Sequence, residues 1–312
     1  LKKENLIERI EPYNIRAGHC YRCNTVIEPR LSRQWFVKMK PLAERAIKVV
    51  ESDEVKFYPS RWKKVYLNWM NNIQDWCISR QIWWGHRIPV FYCRDCQSKG
   101  LTSKAQDADS VQRGVIISKL KPDRCPVCGS GDIYQEEDVL DTWFSSWLWP
   151  FAALYWPRDN EDLKYFYPTD ILVTASEILF FWVARMIMAG LEFTGKIPFH
   201  TVLIHGTVRD DKGIKMSKSL GNIIDPLKVI DKFGADALRF SLMMLASTGS
   251  DVYLSDEKFL VGRNFANKIW NASRFIIGKI DVLGLKIENL NVDELDGADY
   301  WVIDKLNDTI SE

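Results

Sequence analysis

The sequence predicts an α/β fold in which a parallel sheet is interrupted by a small cysteine-bearing insertion and followed by helices. Three observations predict it. Two short apolar runs, at 171–174 and 201–205, flank a proline-free apolar stretch at 178–191. Six of the seven cysteines fall in C-x-x-C pairs. Past residue 255, apolar residues recur at helical spacing.

The run Ile171-Leu172-Val173-Thr174 has the length and β-branched content of a buried strand, and so does Thr201-Val202-Leu203-Ile204-His205. The 178–191 stretch, rich in Leu, Phe, Ala and Met, is long enough for a buried helix. Strand, helix and strand in that order make a right-handed crossover unit of a parallel sheet. Ligands of such sheets bind outside the carboxyl ends of the strands. Beyond the second run lies Lys215-Met216-Ser217-Lys218-Ser219, followed by Gly221 and Asn222. Asp225-Pro226 then supplies an N-cap and a first-turn proline, and Gly234 ends the short helix so begun.

Two lysines three residues apart on a flexible loop make a mobile cationic clamp. Attack at the α-phosphate of ATP needs one, because negative charge grows on the departing pyrophosphate and must be met by donors. Lysine suits the task as a compact point charge on a flexible stem. A solvated basic loop is the competing reading of five residues taken alone. The strand before the loop and the helix after it favour the phosphate reading.

A C-x-x-C turn places two thiolates on one side of a tight knuckle, and two knuckles complete a tetrahedral zinc site. Cys93, Cys96, Cys125 and Cys128, with Pro126 and Gly129 at the second knuckle, form such a set. Four protein ligands leave no position for water, so the role is structural. Redox use fits less well, since two pairs bracket one insertion, and the lack of a secretion signal disfavours disulfides. The polar stretch 97–112 between the knuckles reads as an exposed loop or tip. Cys20 and Cys23, preceded by His19, form a further knuckle and half-site without a partner pair in this chain. Cys77 reads as a small packed side chain.

Toward the carboxyl end Phe259, Phe265, Ile269, Ala272 and Ile276 are interleaved with Arg263, Lys268 and Arg274. This is the pattern of an amphipathic helix whose apolar stripe packs into a bundle while the charges face water. Another helix starts near Tyr300. With 42 basic and 41 acidic residues, 46% hydrophobic content and no apolar run of bilayer length, the composition is that of a soluble protein. Near-zero net charge leaves any nucleic-acid contact to local patches.

The segment 207–226, with the lysine pair at its centre, resembles the second signature of the class I aminoacyl-tRNA synthetases. Asp75-Trp76-Cys77-Ile78-Ser79-Arg80-Gln81 and Asp141-Thr142-Trp143-Phe144-Ser145-Ser146 are similar to segments of the subgroup acting on branched-chain amino acids. Trp83-Trp84-Gly85-His86 and Ile178-Leu179-Phe180-Phe181-Trp182-Val183-Ala184-Arg185-Met186 resemble its valine-specific members more closely than the isoleucine or leucine ones. The match runs through nearly the whole chain in the family's order.

The resemblance implies a Rossmann-like sheet, the C-terminal half of a catalytic domain. It implies activation of valine with ATP, taken as its magnesium complex, to valyl-adenylate, followed by transfer to tRNA(Val) in the cytoplasm, on a scaffold holding structural zinc. Lys218 and Lys215 would be the catalytic residues, binding ATP and meeting the pyrophosphate charge, with Met216, Ser217, His205 and Gly206 beside the nucleotide. Trp76 and Ile178 would line the valine pocket, and Glu177 would sit near the substrate ammonium. The subgroup often carries aspartate preceded by glycine there; this chain has Ser176-Glu177. An ordinary core aromatic is the competing reading of Trp76 in a chain with 13 tryptophans. Arg80 reads equally as a phosphate or tRNA contact and as a structural ion pair with Asp75.

By family position, 1–35 is the exit of the editing insertion with one knuckle, 36–90 the return to the catalytic core and 91–140 the zinc insertion. Residues 141–250 are the Rossmann core with the lysine loop, and 251–312 the start of a helical anticodon-binding domain. The family's earlier His-x-Gly-His signature, whose imidazoles contact the ATP phosphates, matches none of His19, His86, His200 and His205. The chain is therefore expected to be a fragment that needs a missing N-terminal half. Two alternatives stand beside this reading: a non-catalytic module binding tRNA or a protein partner, and the same scaffold selecting isoleucine. A pure binding role has no need of Lys215 and Lys218 together. A bulky aromatic at position 178 would favour isoleucine, and the chain has Ile178 there.

Overall fold

The computed structural model describes residues 2–20, 23–99, 114–217, 220–247, 249–284 and 295–312. Its central sheet has three parallel strands in the order Lys56–Tyr58, Phe199–His205, Thr169–Ala175. The two expected strands are neighbours in it, paired from Phe199 with Thr169 through His205 with Ala175. The strand Lys56–Tyr58 escapes sequence reading because a single buried residue, Phe57, between an exposed Lys and an exposed Tyr gives no period to detect. The crossover is helical as expected but opens with one tighter and one wider turn. A 3-10 turn at Ser176–Ile178 and a π-helical turn at Leu179–Val183 precede the α-helix Ala184–Phe193. Leu179 and Val183 are buried, so the π-helical turn keeps both on the core side.

Side chains alternate across a strand. One row, Phe57, Val202 and Leu172 with Ile204 and Thr174 beyond it, faces the core. Helices Lys40–Glu51, Arg61–Asn71 and Ala184–Phe193 bring Ala46, Val50, Tyr66, Met186 and Ile187 into the same core, all fully buried. The other row, Tyr58, Leu203 and Val173 with Ile171 beside it, is open: Ile171 and Val173 are each 58% exposed and Tyr58 is 54% exposed.

The cysteine insertion is a small antiparallel sheet of Val115–Ile117, Val90–Cys93 and Ile133–Gln135, with the short helix Arg94–Ser98. Of the expected polar tip at 97–112, only 97–99 lies within the described residues. After the lysine loop, Asp225 caps the helix Pro226–Phe233 as expected, accepting the Leu227 N–H at 3.0 Å, and Gly234 ends it with φ 92°. That helix, Ala235–Leu245 and Asp256–Leu283 enclose a second core of Val229, Phe233, Ala237, Leu254 and Phe259. Gly262 lets two of these helices close on each other, since a Cβ there would overlap Ser241 Oγ and the Ala237 carbonyl.

The expected apolar stripe on the long helix is corrected beyond Phe265. Phe259 is fully buried and Phe265 stacks on Phe240 at 4.5 Å, but Ile269 and Ile276 are more than half exposed, because the helix outruns the two it packs against. A final helix spans Gly297–Ser311, opened by a capping box between Asp296 and Asp299. No helix among the described residues is long and apolar enough to cross a membrane.

Candidate nucleotide site and cysteine centre

A cleft of about 480 Å³ opens where the three parallel strands end. Arg61 and Trp62, shortly after the first strand, Ser176, after the second, and His205, ending the third, line it together with Asp251 and Tyr253. This is the position at which ligands of such sheets bind. Gly206 is required here by close approach, because a Cβ would overlap the Ser250 carbonyl. The His205 Nδ1–H donates to the Gly206 carbonyl at 2.8 Å.

The lysine loop reaches the same edge. Lys215 Nζ donates to Glu177 Oε1 at 2.8 Å, and the Thr207 hydroxyl donates to the same oxygen at 3.4 Å. The Lys215 ammonium holds the Glu177 carboxyl below the usual carboxylate range. Thus Glu177, expected near a substrate ammonium, is occupied by the ammonium of Lys215. Met216 packs its side chain against the second apolar core, anchoring the loop, and Ser217 N–H donates to Asn222 Oδ1 at 2.9 Å. Lys218 lies outside the described residues.

Sequence reading missed Asp251. Its Oδ1 accepts the Thr207 N–H at 2.9 Å and its Oδ2 pairs with Arg209 Nε, which ties the exit of the central strand to the far rim of the cleft. The Thr207 N–H, with the Arg209 guanidinium, holds its carboxyl low. Nothing in the local sequence marks this acidic residue.

Trp76 is buried at 6% exposure and its ring is fixed from several sides. Nε1–H donates to Asp141 Oδ2 at 2.9 Å, the Arg185 guanidinium lies 3.5 Å over the ring centre, and Trp147 meets it edge-on at 5.5 Å. Arg80 Nη2 donates to the same Asp141 oxygen at 2.7 Å. This corrects the expected pairing of Arg80 with Asp75, whose Oδ1 instead accepts the Met39 N–H at 3.0 Å. Burial brings the Arg185 guanidinium down to about 10, opposed by Asp141. Ile178 sits half-buried in the 3-10 turn beside Glu177.

The second and third cysteine pairs do meet. Cys93 and Cys128 Sγ lie 3.5 Å apart, Cys96 and Cys125 Sγ 3.8 Å apart, and all four sulfurs fall within 4.8 Å of one another. Four thiolates at tetrahedral zinc distance are separated by about 3.8 Å, so the set fits the metal without rearrangement of the backbone. Burial pushes the Cys96 thiol up to about 12 and raises Cys93 as well. At Cys125 burial acts the same way but the N–H groups of Cys128 and Val127 more than offset it, bringing the thiol to about 7. Cys23 Sγ lies 3.3 Å from Thr25 Oγ1, and hydrogen bonds that the Thr25 hydroxyl and N–H offer to the sulfur bring the Cys23 thiol to about 7. Cys20 and Cys23 join no cluster of metal-ligand atoms among the described residues.

Comparison with known proteins extends the resemblance. The family model for class I tRNA synthetases (I, L, M and V) matches residues 10–255. The valine--tRNA ligase of Petrotoga mobilis is 56% identical over the whole chain, and that of Thermotoga maritima is 53% identical, again over the whole chain. In both cases the chain spans only 34% of the relative's length. Among solved structures, the methionyl-tRNA synthetase of Mycobacterium tuberculosis in complex with methionyl-adenylate matches 85% of this chain and 44% of its own at 18% identity, with a TM-score of 0.56, which is a likeness of fold. A parallel sheet with a lysine loop at its carboxyl edge, a family model covering most of the chain and relatives of more than half identical sequence agree: the chain belongs to the class I tRNA synthetases of the isoleucine, leucine, methionine and valine group.

Proposed function

We propose that this chain is the carboxyl-side part of the catalytic unit of a valine--tRNA ligase, working in the cytoplasm with the rest of its polypeptide. The observation that carries the reading is the Lys215 ammonium paired to Glu177, next to Ser176 of the cleft at the strand ends. In the reaction the valine carboxylate oxygen bonds to the α-phosphorus of magnesium ATP, and the bond to the bridging oxygen of the β-phosphate breaks. The charge left on pyrophosphate is met by Lys215 and Lys218, and this stabilisation grows as the transition state forms. His205, Gly206, Met216 and Ser217 border the nucleotide, Met216 and Ser217 through their backbone. Trp76, Ile178 and Glu177 belong to the amino-acid side.

Glu177 can serve the substrate ammonium only after Lys215 leaves it. The pair is exposed, and such pairs are weak, so ATP phosphates can draw the lysine away. Cys93, Cys96, Cys125 and Cys128 hold a structural zinc, which cross-links the insertion and takes no part in the chemistry. The segment divisions given by family position, including the start of a tRNA-contacting helical domain after residue 250, are part of the same reading. The open sheet face supports a further layer from the amino-terminal portion, since parallel sheets are covered on both faces.

The test is valine-dependent exchange of pyrophosphate into ATP, with isoleucine and threonine as controls. The expected result is no exchange by the 312-residue chain alone and recovery when the amino-terminal portion of the Thermotoga maritima relative is added. No recovery with a properly associated complex, or recovery supported equally by isoleucine, would overturn the valine assignment.

A further inference from the structure

Asn222 spans the base of the lysine loop. Its carboxamide oxygen accepts the Ser217 N–H at 2.9 Å, while its amide nitrogen donates to the Lys215 carbonyl at 3.3 Å and to Asp210 Oδ2 at 2.9 Å. The other carboxylate oxygen of Asp210 accepts the N–H groups of Ile214 at 2.7 Å and Lys212 at 3.1 Å. Both side chains are half-buried. The Asn222 amide, donating to it, holds the Asp210 carboxyl below its usual range, so Asp210 is ionised and accepts only. That fixes the sense of the Asn222 amide, nitrogen toward Asp210 and oxygen toward Ser217.

We propose that Asp210 and Asn222 are positioning residues for adenylate formation: a two-residue staple that sets the backbone of Lys215 and Ser217 and so delivers the Lys215 ammonium to the triphosphate. The proposal rests on the nucleotide reading of the loop given above. Division of labour follows from the geometry. The Met216 side chain, packed on the second core, holds the loop down. The staple directs it, because it grips the backbone on both sides of Met216 and the turn that leads into Lys215. The Lys215 side chain itself stays loosely paired to Glu177 and is free to move to a phosphate while its backbone is held.

Asn222→Asp keeps the acceptor for Ser217, loses both amide donors and sets a second carboxylate against Asp210. Asp210→Asn removes the charge and offers an amide where Asn222 needs an acceptor. Asp210→Asn combined with Asn222→Asp restores one donor and one acceptor in the reversed sense. In the exchange assay with the amino-terminal portion present, each single variant is expected to lower kcat roughly tenfold, the worth of a hydrogen bond to a charged group. The KM for valine should stay within about twofold, since uniform binding is untouched. The double variant should recover most of the loss. Amide hydrogen exchange of Ser217 and Ile214 in the chain alone should quicken in the single variants and slow again in the double, a readout that does not depend on catalysis.

Single variants with unchanged kcat, or a double variant no better than either single one, would overturn the staple. Lys215→Ala separates the two levels. If it slows exchange and the staple variants do not, the staple alone fails; if it leaves exchange unchanged, the nucleotide reading of Lys215 fails and the staple's catalytic role with it.

Discussion

Asp141 shows how one side chain can organise a buried polar centre. At 5% exposure it accepts from Trp76 Nε1 and Arg80 Nη2, lies 3.9 Å from Arg185 Nη1, and through Oδ1 caps the helix Thr142–Ser146 at the Trp143 N–H. Removing it would strand an indole N–H and leave Arg185 buried without its counter-charge. Asp141→Ala is therefore expected to cost about 3–5 kcal/mol, the range for breaking a buried pair from one side. Urea unfolding followed by far-UV circular dichroism would measure it, and a loss below about 1 kcal/mol would mean that water takes over the role of the carboxylate. The sequence half reveals this centre. Trp76 stands out and Asp141 lies in a recognisable segment, but their contact spans 65 residues, and Arg80 looks closer to Asp75 than to its real partner. The antiparallel pairing of Ser79–Arg80 with Val139–Leu140 brings Arg80 beside Asp141, and pairings of two residues leave no periodic trace.

Local chemistry is easier to read than pairing. The cysteine knuckles are legible because each is complete within four residues, whereas the three strands that carry them are three or four residues long and find their partners across the insertion. The crossover unit is legible for the opposite reason, its strands and helix being long apolar runs with one row of the strands and the helix turned to the core. The long carboxyl-terminal helix lies between: its period names the apolar face and says nothing about what covers it. Energetics follow the same division. The buried core of the insertion consists of Phe91, Ile133 and three cysteines, too little apolar surface to hold three short strands together. Metal removal is thus expected to unfold the insertion and leave the central sheet intact. Purified chain should contain stoichiometric zinc; chelation, or Cys125→Ser, should open protease cleavage within 91–140 while most of the circular dichroism signal persists. Protein prepared without chelator that contains no zinc, or an unchanged cleavage pattern after chelation, would refute the centre.

The open sheet face bears on how the whole molecule is built. Parallel strands are ordinarily buried on both faces, and their sequences carry apolar residues in both rows for that reason. Here the inner row is buried by three helices, while Tyr58, Ile171 and Val173 of the outer row remain more than half exposed. Burying such side chains fully contributes about 1.5–3 kcal/mol each, so the outer row is a source of association energy that the described chain does not use. A single charge placed in it should therefore separate assembly from folding. Val173→Lys points its ammonium into water in the isolated chain, where the urea midpoint is expected to stay unchanged. In the complex with the amino-terminal portion the same ammonium would be taken from water against an apolar layer, and association is expected to weaken by at least about tenfold. Titration calorimetry of wild type and variant measures the difference. Equal affinity would place the docking surface elsewhere. An equal loss of stability in the isolated chain would mean that the outer row is already covered, and that the fold closes on itself without another layer.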